Sequence, residues 1–191
     1  MVGCASAARA AIRRMLHRDW FPIDEAVDVQ SAVAGTNAMY CALAWQGRLV
    51  GGFAGVPLAT ASESGPSTAV RLGPHLGMAE ASRQLLAAMG ATGFIGFDFI
   101  LDQETGRPLL LECNPRPIQV CHLGHRVGVD LGKALAATMA GQTAPEMSAT
   151  GFAEVVLFPH AFVRAAHPAA YYDIPADDVG LRRFASQQSE P

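Results

Sequence analysis

Residues 93–117 read GFIGFDFILDQETGRPLLLECNPRP, and the fold follows from how this stretch turns back on itself. Two apolar runs, Phe94 to Leu101 and Pro108 to Glu112, flank DQETGR, whose Asp, Thr and Gly suit a tight polar connection. A β-hairpin is expected. Its first strand carries Asp98, and its second delivers Glu112 and then Asn114 into a loop. The Asn114-Pro115-Arg116-Pro117 run cannot continue a central strand, because two prolines remove ladder donors and restrict the residues before them. One acid on the first strand, with a second acid and an amide at the end of its partner, can meet at one edge of a sheet. Two carboxylates and a carboxamide oxygen are the hard donors that Mg²⁺ takes and shares with nucleotide phosphates. Arg116 adds a planar charged fork suited to a phosphoryl or carboxylate group. The plainer alternatives are that Glu112 and Asn114 cap a strand-end turn, that Asp98 pairs with Arg107 or Arg116, and that Arg116 is a structural partner of Glu112.

Working outward, Pro74 to Met89 is expected to be a helix, with Pro74 near its first turn and Gly90 at its stop. Val27 to Val33 and Ala38 to Trp45 suit strands joined at Gly35, and Gln46-Gly47 sets up a hairpin into Arg48 to Phe53. Ser6 to His17 has apolar residues at helical spacing, and the FPIDEAV segment breaks that helix. Val129 to Met139 reads as a helix ended by Gly141. Gln142 to Thr150 reads as a polar linker, and the last forty residues as a proline-punctuated tail with little periodicity. SGPSTAV is read as a loop, with Arg71 following it.

The chain has 191 residues, half of them apolar and 16% charged, with a formal charge of -3. One core is expected, and no apolar run approaches the length of a membrane-spanning helix. No basic patch marks a nucleic-acid or anionic-membrane partner, which leaves small-molecule chemistry. Cys4, Cys41, Cys113 and Cys121 show neither metal spacing nor a disulfide framework, so a reducing cytoplasm is expected. The opening MVGCASAARAAIRRML has no apolar core ahead of Cys4, which argues against a secretory signal. His122 and His125 have metal-like spacing but no acidic neighbour and are assigned to an ordinary loop. Cys121 beside His122 is read as a buried thiol.

The order strand-Asp, hairpin, E-x-N-P-R and then a G-x-D-L helix resembles the carboxy-terminal lobe of ATP-grasp domains of the carbamoyl-phosphate synthase and biotin carboxylase kind. The resemblance implies an α+β fold with a mainly antiparallel sheet carrying helices on one face. It also implies that Asp98, Glu112 and Asn114 hold Mg²⁺, or Mn²⁺ in its place, against ATP, and that Arg116 is the active-site arginine. VQSAVAGTNAMYCALAWQGRLVGG is similar to the family's hinge and following hairpin. Adenine would then meet backbone at Gln30, Ser31 and Val33, with Leu111 under the ring; Arg71, from its place after the SGPSTAV loop, is read as a surface or loop-anchoring residue, with a cofactor contact as the alternative. AEVVLFPHAFVRAAHPAAYYDIPADD is similar to the extension of some uncharacterised members. On this reading residues 1–141 form a partial ATP-grasp domain, and residues 142–191 are a linker and extension packed on it.

The sequence departs from the family's pattern too. Lys133 is the one lysine, and it follows the metal motif, whereas the family's phosphate-binding lysines lie in a preceding lobe with a glycine-rich loop. Ser31 and Asn37 stand where nucleotide-contacting acids are common. IQVCHL is similar to the QVEH stretch of biotin carboxylases, with Cys121 in place of the catalytic glutamate, which disfavours bicarbonate activation by that route. Two functions are therefore carried forward. One is an ATP- and Mg²⁺-dependent ligase joining a small carboxylate to an amine or thiol through an acyl-phosphate. The other is a non-catalytic fragment, either a truncated lobe or a subunit that completes its cleft with a second copy or a partner polypeptide.

Overall fold

The computed structural model describes residues 5–16, 30–61, 65–142 and 146–157. The helix α1 spans Ala5–Leu16. A meander follows, with β1 Gly35–Trp45, β2 Arg48–Thr60 and β3 Ser67–Gly73. Then come α2 Leu76–Met89, β4 Gly93–Asp102 and β5 Pro108–Asn114. A 3₁₀ segment Cys121–Val127 leads to α3 Leu131–Met139, β6 Met147–Ser148 and β7 Ala153–Val156.

Among the described residues seven strands form one sheet, six of them in the order β5-β4-β1-β2-β3-β7. Every neighbouring pair along that order is antiparallel, and the short β6 pairs in parallel with Gly51 and Gly52 of β2. The chain is thus α+β with a mainly antiparallel, open sheet. Residues read as linker and tail contribute β6 and β7 to that same sheet. Two residues make the β1–β2 reversal: Gln46 at φ 49° and Gly47 at φ 79° supply the left-handed backbone that a tight hairpin requires. Gln46 N–H donates to Thr92 Oγ1 at 2.8 Å and Gly47 N–H to Ala91 O at 2.8 Å, which ties the turn to the entry of β4.

Side chains alternate between two cores. Ala38, Tyr40, Ala42 and Ala44 of β1, with Ile95, Phe97 and Phe99 of β4, face α2 through its buried Met78 and Leu86. Cys41 and Leu43 of β1, Val50 and Phe53 of β2, and Val70 and Leu72 of β3 face Val127 of the 3₁₀ segment, Leu131 and Ala134 of α3, and the flanking Val120 and Val129. The helices expected on one face are therefore shared between both, because the β1 strand is apolar at every position from Ala38 to Ala44 and needs cover on each side. α2 begins at Leu76, with His75 as its cap accepting from Met78 N–H at 3.2 Å, and ends at Gly90 in the left-handed region at φ 59°. α3 is capped by Asp130, which accepts from Lys133 N–H at 3.0 Å.

Residues 30–34 take no strand pairing, so the strand expected from Val27 to Val33 is not formed over its described part; residues 27–29 lie outside the described residues. The FPIDEAV break, His17, Cys4 and the tail beyond Leu157 lie outside them too. Among the described residues Cys41, Cys113 and Cys121 are free thiols, and no helix is long and apolar enough to cross a membrane.

Candidate functional site

The site is built where β4 and β5 pair. From Leu101↔Pro108 to Phe99↔Leu110 the ladder is regular, but Asp98 then pairs with Glu112, leaving Leu111 as an extra residue in a β-bulge. That one residue decides which face Glu112 takes. In a regular ladder Leu111 would oppose Asp98, and Glu112 would point with Phe97 into the α2 core, since a slip of one position exchanges the faces of a strand. With the bulge, Asp98 and Glu112 stand opposite each other on the face of Met39 and Cys41, and Asn114 opposes Gly96 on the same face. Asn114 Nδ2–H donates to Asp98 Oδ2 at 3.0 Å.

The electrostatics follow from this crowding. Burial pushes the Asp98 carboxyl above the ordinary carboxylate value, and the neighbouring Glu112 charge pushes it further the same way. Arg116 and the Asn114 hydrogen bond oppose that shift. Arg116 follows in a turn in which its N–H donates to Asn114 O at 2.7 Å. Its side chain is exposed, with Nη1 at 3.4 Å from Pro117 O. Beneath the carboxylates, burial holds Cys41 as a neutral thiol, reinforced by Cys121 and Asp98.

Two carboxylates and a carboxamide on one half-exposed face are a donor set that fits a hard divalent cation, and a cation would relieve the repulsion between Asp98 and Glu112. Among the described residues no group of three or more His, Cys, Asp and Glu side chains is arranged to hold a metal ion, His122 and His125 included. Both lie on the 3₁₀ segment, where His125 Nδ1 lies 3.0 Å from His122 O.

The remaining candidates are spread along the sheet. Gln30, Ser31 and Val33 precede β1 at the end where Gln103 N–H donates to Ala34 O at 2.9 Å. The registers Gly35↔Asp102 and Met39↔Asp98 put Asp98 four positions, about 13 Å, further along β1. Leu111, the bulged residue, is 46% exposed. Arg71 is not brought to the carboxylates. It pairs with Val56, on the face of α2, and its guanidinium bonds Glu154 of β7 at 2.6 and 2.9 Å. Strand pairing to a segment beyond the polar linker, invisible in local pattern, set that outcome. A groove of about 370 Å³ lined by Gln46, Gly47, Arg48, Leu49, Arg83, Ala87 and Glu146 includes none of the site residues. Sequence reasoning missed the bulge and Gly96, although three successive leucines before an acid leave the strand's facing undecided.

With this geometry in place, likeness to solved structures can be read. The ATPase subunit of phosphoribosylaminoimidazole carboxylase from Aquifex aeolicus superposes with a TM-score of 0.52 at 12% identity, covering 67% of this chain and 40% of that one. The biotin carboxylase domain of Hydrogenobacter thermophilus 2-oxoglutarate carboxylase, whose structure holds MgADP, ADP and bicarbonate, gives 0.45 at 20% identity over 62% of this chain and 28% of that one. N5-carboxyaminoimidazole synthetase from Staphylococcus aureus, complexed with ADP, gives 0.43 at 13% identity over 65% and 33%. Of these three the first alone exceeds 0.5, and at its identity it speaks for the fold. No family model matches this chain and no curated protein matches it. Over part of its length the chain has the ATP-grasp fold, and it spans about two fifths of the Aquifex protein.

Proposed function

We propose that this chain is the nucleotide- and metal-binding lobe of an ATP-dependent ligase that joins a small carboxylate to an amine or thiol. The observation that supports it is the placing of Asp98, Glu112 and Asn114 on one face of the β4–β5 ladder by the Leu111 bulge, with Arg116 in the following turn. Asp98 and Glu112 would hold Mg²⁺, or Mn²⁺, through carboxylate oxygens. Asn114 would join them through Oδ1 after a half-turn of its carboxamide. ATP held there with the cation would supply the γ-phosphoryl group to a carboxylate oxygen, ADP leaving, and an amine or thiol would then displace phosphate from the activated carboxylate.

What the chain's own residues do is position and neutralise. Arg116, a fixed charge with two parallel donors, would bind an equatorial phosphoryl oxygen or the substrate carboxylate, where charge builds as the phosphoryl group transfers. Gln30, Ser31 and Val33 would meet the base at the start of β1 while the carboxylates, opposite Met39 near its middle, meet the phosphates. An extended nucleotide lying along β1 and β4, over Leu111, would span the two. Residues 1–141 would act as the lobe and residues 142–191 as the extension packed on it. A cytoplasmic location belongs to the same proposal, supported by the free thiols of Cys41, Cys113 and Cys121.

A second reading is favoured by one feature. Among the described residues β5 is one of the two edge strands of the sheet, and Leu109, Leu110 and Leu111 on it are all exposed. An apolar outer strand of this kind is what a second lobe, a second copy or a partner polypeptide would cover. The two readings separate by experiment: the isolated chain binding Mg–ATP with dependence on Glu112 supports the first, and binding that arises only with an added lobe supports the second.

A further inference from the structure

The turn that follows β5 folds back over the carboxylate face, and one contact seats it there. Gly96 lies on that face between Cys41 of β1 and Asn114 of β5. A Cβ placed on Gly96 would come within 2.2 Å of Ile118 Cγ2 and 3.2 Å of Ile118 Cβ. The Ile118 side chain therefore fills the space that any larger residue at position 96 would need. Ile118 also packs on the core that contains Cys41 and Val120, and its carbonyl accepts from Cys121 N–H at 3.0 Å, anchoring the far end of the turn. Between these anchors Pro115 and Pro117 fix two φ angles, and Arg116 N–H reaches back to Asn114 O. The exposed Arg116 side chain takes its place from this short, pinned backbone, and its charge acts on Asp98.

We propose that Ile118, seated on Gly96, is a positioning residue that holds the Asn114–Ile118 turn against the sheet and so fixes the backbone from which Arg116 reaches its ligand. Arg116 is the group that touches ligand, resting on the nucleotide–metal reading above, whereas Ile118 and Gly96 act through it. A loose turn would leave a long side chain to be ordered at each binding event, a cost that a pre-seated turn avoids.

Two measurements on the full chain test this. The first is a double-mutant cycle read by Mg–ATP affinity. Ile118→Ala and Arg116→Gln should each weaken binding by roughly tenfold, the scale of losing a supporting contact, and the double variant should be no weaker than Arg116→Gln alone. Gly96→Ala, which puts a methyl where Ile118 sits, should reproduce the Ile118→Ala loss. Unchanged affinity in Ile118→Ala, or an equal further loss in the Arg116→Gln background, overturns the proposal. The second is amide hydrogen exchange. Ile118→Ala should speed exchange at the Arg116 amide while the β4 amides keep wild-type protection; unchanged exchange at Arg116 overturns the proposal. If the wild-type chain binds no Mg–ATP, the nucleotide reading falls, and the exchange result alone decides the positioning role. Should Ile118→Ala fail to fold, Ile118→Val is read by the same two criteria, with smaller losses.

Discussion

Asp98 on β4 and Glu112 on β5 are direct register partners on one face of the sheet, and Asn114 donates to Asp98 at 3.0 Å. Like charges set opposite one another across an antiparallel ladder destabilise it. Burial and Glu112 together hold the Asp98 carboxyl above its ordinary value of 3.8. Because the folded-state value is the higher one, the contribution of Asp98 to stability is fully present below the unfolded value and is lost as pH rises through the folded one. In metal-free buffer Asp98→Asn should therefore raise the urea midpoint at neutral pH and leave it unchanged below the ordinary carboxylate range. A midpoint gain of equal size at both pH values would show that the carboxylate carries no such penalty.

The bulge makes a sharper prediction. Deleting Leu111 removes the extra residue, and regular pairing then still sets Glu112 opposite Asp98 and Asn114 opposite Gly96. Mn²⁺ affinity of the deletion variant, followed by electron paramagnetic resonance, should stay at the wild-type level, whereas nucleotide affinity should fall if Leu111 underlies the base. Loss of Mn²⁺ binding together with an intact fold would mean that the bulge itself, and not the facing it sets, makes the site.

Phe97 is fully buried between β4 and α2, with its ring centroid 6.2 Å from that of Phe99. Phe97→Ala should cost about 3–5 kcal/mol, the usual range for emptying an aromatic site in a core. Urea unfolding should show a lower midpoint with an unchanged slope.

Arg71 and Glu154 join β3 to β7 through a pair whose side chains are 53% and 41% exposed. Arg71→Ala should therefore cost less than about 1 kcal/mol, as exposed ion pairs do. It should leave Mg–ATP affinity unchanged, since the pair lies on the opposite face from Asp98. A marked loss of affinity in a titration would return Arg71 to the site.

Much of this architecture was legible in local pattern. Gln46-Gly47 announced the β1–β2 hairpin, Gly90 the end of α2, and DQETGR the β4–β5 reversal, because each needs a particular backbone conformation that few residues supply. The acid, amide and arginine of ECNPR were legible for the same reason, as polar groups placed where two prolines stop a strand. What stayed hidden depends on distant pairing. The first half of β3 has the local pattern of a loop, because Gly65 and Pro66 punctuate a run in which Thr68, Val70 and Leu72 alternate inward. β6 and β7 gain their strand character from β2 and β3, about a hundred positions away in one case and about eighty in the other. The facing of Glu112 depends on a bulge that three leucines in a row neither require nor forbid. Gly96 reads as an ordinary strand glycine until Ile118 is found lying on it.

The central claim, that this lobe carries a nucleotide–metal site built on Asp98, Glu112 and Asn114, is tested most directly by calorimetric titration of the purified chain with Mg–ATP beside its Glu112→Ala variant. The account predicts saturable binding by the wild-type chain and its loss in the variant. Binding of equal affinity by both proteins would contradict it.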